Sequence, residues 1–108
     1  MTTMGANTVS LALSSYKYVL IYFRIHATVQ SSYPQSTFLT TALARVGSKY
    51  LKTTFEADGT GLAGRGFNVT TTGIAFEQGY WVDTSFYNSK TRNASNYQCI
   101  PVKIYGIT

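Results

Sequence analysis

Lys17 to His26 is an unbroken run of ten residues with no Gly or Pro, almost all β-branched, aromatic or Leu. Its odd positions, Val19, Ile21, Phe23 and Ile25, are uniformly apolar, whereas Tyr18, Leu20, Tyr22, Arg24 and His26 form an amphipathic second face. A period of two with one apolar face predicts a strand that packs one side on a core. Wound as a helix, the same residues would be apolar nearly all round, and Val, Ile and Tyr favour the pleated form. Extended, the run would reach ~33 Å at about 3.3 Å per residue, long enough to cross a small domain.

A chain of 108 residues has room for one core, so residues 1-108 are expected to form a single domain. Charged residues make up 12%, about half the usual share, while nine Tyr and six Phe supply much of the apolar surface. Helix surfaces draw on Glu, Lys, Arg and Gln, so their scarcity favours strands. Further strands are expected over 7–13, 36–43, 48–56, 67–72, 74–76, 80–86 and 97–107. Residues 7–13 would pair with the long strand as a hairpin across Ser14 and Ser15, and loops are expected at 28–35, 58–66 and 88–96. Pro101 has no ladder donor and belongs on an edge strand, at a bulge or at a strand's start. The expected fold is all-β, a jelly-roll-like β-sandwich of about seven or eight short antiparallel strands.

The sequence offers little for catalysis or metal binding. Gly59 to Gly64 matches the dinucleotide fingerprint GxGxxG, but that motif must open a helix whose N-terminus holds the pyrophosphate. Arg65, Gly66 and a Thr-rich run follow instead, and no βαβ alternation surrounds them, so a turn or loop is expected. His26 is the only histidine and Cys99 the only cysteine, which leaves no multi-histidine or Cys-x-x-Cys metal site and no disulfide. Cys99, flanked by Gln98 and Ile100, reads as a buried structural thiol. The four acids, Glu56, Asp58, Glu77 and Asp83, show no spacing that selects a general acid/base pair. No enzyme activity and no cofactor are expected. No run approaches the roughly 20 apolar residues that a membrane-crossing helix needs, and no signal peptide pattern opens the chain.

One stretch gathers possible ligand contacts. Tyr80, Trp81, Phe86 and Tyr87 surround Asp83, next to a polar segment containing Arg92 and Asn93. Rings stack on sugar faces while Asp, Asn and Arg bond hydroxyls, but the same rings serve equally in a core or an oligomer interface. The net charge of +5 allows a second reading, a small basic domain that binds single-stranded nucleic acid. Tyr18 and Tyr22 would then stack bases beside Lys17 and Arg24. The cations are scattered, the densest group being Arg45, Lys49 and Lys52, so nucleic acid ranks second.

Three passages resemble the C-terminal domains of bacteriophage tail fibres and other receptor-binding or minor structural tail proteins. They are Asn7 to Tyr16, the strand from Tyr16 to Phe23, and the ending Ile100 to Ile107, about a third of the chain together. The resemblance implies a β-sandwich tip domain excised from a longer chain. It also implies a homotrimer, carried on the virion as part of the phage tail, that recognises a bacterial surface saccharide or receptor.

Overall fold

The computed structural model describes residues 4–26, 39–57, 61–83 and 92–108. These form nine strands and no helix: β1 (Asn7–Ser10), β2 (Tyr18–His26), β3 (Leu39–Arg45), β4 (Leu51–Ala57), β5 (Gly61–Thr70), β6 (Gly73–Phe76), β7 (Tyr80–Asp83), β8 (Arg92–Ala94) and β9 (Gln98–Ile107). They make two antiparallel sheets in a sandwich-like arrangement, as the composition and alternation predict. The ninth strand is β8, which falls in the polar segment read as loop. The expected loop at 28–35 lies outside the described residues.

The smaller sheet, B, runs β3-β2-β9, with the long strand at its centre. Val19, Ile21 and Phe23 are fully buried and Ile25 nearly so, as the sequence predicts for the apolar face. In the larger sheet, A, β4 pairs one edge of β5, while β6 and β7 follow each other along the opposite edge. Strands β1 and β8 lie beside β6 and β7 in turn. The expected hairpin between β1 and the long strand does not form, since β1 pairs with β6 in the other sheet. Both flanks of β2 are occupied by the longer β3 and β9, which satisfy more of its backbone than a four-residue strand would.

The glycine-rich stretch corrects a second expectation, because Gly61 to Gly66 belongs to β5, the strand at the middle of sheet A. Its core face carries Ala63, Arg65, Phe67 and Val69, all buried. The other face holds Gly64 and Gly66, and neighbouring side chains fill the space that a Cβ would take: the Tyr80 ring lies over Gly64 and the Glu77 carboxylate over Gly66. The dinucleotide motif therefore has no helix behind it.

Phe23 of sheet B meets Phe67 and Phe76 of sheet A at ring separations of 6.1 and 6.2 Å, and those two rings stand 5.9 Å apart. This three-ring contact between the sheets is the centre of a core that includes Val69, Ile74 and Ile100. Pro101 sits on the edge strand β9, next to a bulge at which the β2 register slips between Tyr22 and Phe23. The missing donor costs nothing there.

Candidate functional site

The stretch singled out for ligand contact forms two paired strands. Trp81 lies opposite Asn93 and Val82 opposite Arg92, so residues about a dozen positions apart become neighbours. Register also separates the two rings. Trp81 pairs with Ala63 on the core side, where it is partly buried against the core cluster. Tyr80 pairs with Gly64 on the outer side and is 7% exposed. Its hydroxyl exchanges a hydrogen bond with the Thr54 hydroxyl, across the strand that Gly64 leaves bare. The two rings point to opposite faces of the sheet and make no common stacking platform. The side chains of Asp83, Arg92 and Asn93, and all of Tyr87, lie outside the described residues.

Beside Tyr80 the chain breaks between β6 and β7, and a polar hollow of about 300 Å³ opens there. Glu77, Gln78, Gly79, Tyr80 and Ala94 line it. Glu77 and Gln78 are exposed, and the Gln78 amide donates to the Asn96 side-chain oxygen at 2.8 Å. Gln78 does not stand out in the sequence, and Glu77 does so only as one of four acids. Their position depends on the break in pairing, which the chain's local pattern does not announce.

Under the same break lies Arg65, fully buried on the core face of β5. Its Nε donates to the Cys99 carbonyl at 2.7 Å. Nη1 reaches the carbonyls of Glu77 at 2.6 Å and Gly5 at 3.4 Å, and Nη2 those of Met4 at 2.8 Å and Gln98 at 2.9 Å. All five N–H groups of the guanidinium thus meet backbone oxygens, binding the N-terminal segment, the β6–β7 break and the start of β9 into one knot. Burial lowers the Arg65 pKa from its ordinary value, with Cys99 opposing. Burial also pushes the Cys99 thiol up to about 12, against the smaller pulls of Arg65 and a hydrogen bond from Thr53. Cys99 is wholly inaccessible, the structural thiol that its neighbours predict. This cluster is built to hold the fold together and offers no group to a ligand.

The most distinctive exposed feature is the outer face of sheet B. Leu39 and Leu43 on β3 are 51% and 64% exposed, and Tyr18 on β2 and Tyr105 and Ile107 on β9 each exceed a third. Tyr22 meets Tyr105 edge to face at 5.7 Å, and the Lys103 ammonium lies 5.7 Å from the Tyr105 ring centre. Arg45 is exposed opposite Tyr18. Strands β2, β3 and β9 contain Arg24, Arg45 and Lys103 and not one Asp or Glu. Among the described residues no cluster of His, Cys, Asp and Glu is arranged to hold a metal, and no helix is long and apolar enough to cross a membrane. Comparison with protein-family models, curated proteins and solved structures gives no match.

Proposed function

We propose that this chain is a structural and recognition domain of the phage-tail type, one that assembles with copies of itself, as a trimer, and contacts a bacterial surface saccharide. Its role is binding and assembly, with no catalytic step. The observation that carries the reading is the uncovered outer face of sheet B. Five large apolar side chains there are more than a third exposed on one side of three strands, and contiguous patches of this kind mark interaction surfaces. Light scattering tests it: a mass three times the 11.9 kDa of the chain is expected at micromolar concentration, and a monomer mass rejects it.

For the saccharide, the hollow beside Tyr80 supplies the Gln78 amide as a hydroxyl partner, with β8 bringing Arg92 and Asn93 alongside β7. A glycan array probed with the oligomer is the direct test, because several weak sites acting together bind measurably. Binding that survives Gln78→Ala and Asn93→Ala in a folded protein places the sugar elsewhere.

The acid-free, aromatic character of sheet B favours one other reading, a surface for single-stranded nucleic acid. Tyr18, Tyr22 and Tyr105 would stack bases beside Arg45 and Lys103. Titration with labelled oligonucleotides at two salt concentrations separates the readings, since phosphate binding weakens steeply with salt.

A further inference from the structure

We infer that copies of this chain meet head to tail, the outer face of sheet B of one copy seated on the Glu77-bearing outer face of sheet A of the next; the inference rests on the assembly reading above. It starts from where the charge lies. The chain has four acids in all. Glu56 is in β4, Asp83 is in β7, Glu77 directly follows β6, and Asp58 comes one residue after β4 in sequence. The three acids among the described residues therefore belong to the strands of sheet A or directly follow one, and the strands of sheet B have none.

A contact between two copies through sheet B alone would be two-fold. It would bring Arg45 and Lys103 of both copies onto a surface with no counter-charge, at the cost of desolvating them. Juxtaposed like charge is a strong bar to association. Sheet A supplies what is missing. Glu77 is exposed, and its carboxylate lies on the outer face over Gly66. The outer-face positions around it are Lys52, Thr54, Gly66, Asn68, Thr70 and Ala75 on neighbouring strands. Across this face Leu39, Leu43 and Tyr105 of the next copy would lie, while Glu77 receives the cations. Lys52, opposite Gly66, is the one described cation at that spot. Because the two faces differ, the contact is heterologous, the class that builds a ring of three where its rotation is a third of a turn.

Cysteine cross-linking tests this, and buried Cys99 does not interfere. Leu43→Cys marks the sheet B face and Lys52→Cys the sheet A face. Treated with a short bis-maleimide, neither variant alone should form a covalent dimer, whereas subunits mixed and allowed to exchange should. Self-linking of Leu43→Cys overturns the inference in favour of a two-fold contact. An oligomer in which no combination links overturns it as well. A second measurement guards against a lost contact being mistaken for a misfolded variant. Arg45→Glu with Lys103→Glu, and separately Glu77→Lys, should each raise the concentration for half-assembly about tenfold or more. Mixing the two folded proteins should restore the contact between unlike subunits, read as mixed pairs because three alternating subunits cannot all match, and a mixture that forms no such pairs counts against the pairing. If the parent protein is a monomer, the assembly reading itself fails, and an oligonucleotide bound by that monomer through Arg45 and Lys103 overturns both. A parent oligomer with self-linking Leu43→Cys removes only the head-to-tail arrangement.

Discussion

Arg65 brings a guanidinium into the interior where, among the described residues, no carboxylate meets it; five carbonyl oxygens do so instead. A planar fork with five donors suits this task, and an ammonium with three donors does not. Arg65→Lys must leave at least two of those carbonyls without their donor, at about 1–3 kcal/mol for each buried group left unpaired. The expected result is a folded protein whose urea midpoint corresponds to a loss of at least about 2 kcal/mol; an unchanged midpoint would show that the knot is dispensable. Cys99 yields a pH prediction. In the unfolded chain a thiol ionises near about 8.5, whereas in the fold burial holds it protonated to about 12. Between those values the unfolded state has lost a proton that the native state keeps, so stability falls as pH rises through that window and is unaffected below it. Urea midpoints at pH 7 and pH 10 should therefore drop more for the parent than for Cys99→Ala, and parallel profiles would refute the assignment. Gly64 is constrained from both sides, since a Cβ there would run into the Tyr80 ring and the Thr53 carbonyl. Gly64→Ala should destabilise by about 1–3 kcal/mol in the same measurement, the range for overpacking.

Among the elements, β5 does the most to organise the fold. One of its edges pairs with β4 and the other serves both β6 and β7, whose registers differ by one residue across the break at 77–79. That slip resembles a bulge, with the extra residue opposite Arg65, and it frees the Glu77 carbonyl to accept from the guanidinium. The break thus creates both the exposed hollow beside Tyr80 and the buried knot beneath it. Strand β2 separates its two faces just as sharply. Phe23→Ala removes the ring that joins the sheets and should cost about 3–5 kcal/mol. Leu43→Ser, on the outer face of the adjacent strand, should shift the unfolding of the isolated chain by no more than about 0.5 kcal/mol. Comparable losses in the two variants would mean that the outer face is packed within the monomer.

For the molecule as a whole, the division of charge between the sheets matters more than the net charge of +5. Nine cations on 108 residues permit many partners; three of them lie on an acid-free, half-apolar sheet, which favours a surface that brings negative charge. Head-to-tail assembly should loosen as salt rises, because the screening length contracts from about 10 Å at 0.1 M to about 3 Å at 1 M. Light scattering at those two concentrations checks this, with a decline in mass expected at the higher one. A mass indifferent to salt would assign the contact to Leu39, Leu43 and Tyr105 alone.

The alternation of apolar residues is a local property, so the chain by itself determined the all-β class, the buried face of β2 and the buried thiol, and it limited Pro101 to an edge, a bulge or a strand's start. Each follows from a side chain's own chemistry at a period of two. Which strands pair is not local. Seven residues of β3 and the length of β9 outcompeted the nearby β1 for the flanks of β2, which no window around Ser14 could reveal. The glycines of β5 read as a loop because glycine in a strand leaves a gap in side-chain packing. Tyr80 and Glu77, more than ten residues away along the chain, fill that gap. For the same reason the tertiary structure alone placed Tyr80 and Trp81 on opposite faces, brought Asn93 beside Trp81, and set Arg65 among five carbonyls drawn from three separate parts of the chain. A sequence records which groups need partners; only the closed fold, in which most buried polar groups must be paired at once, decides which partners they receive.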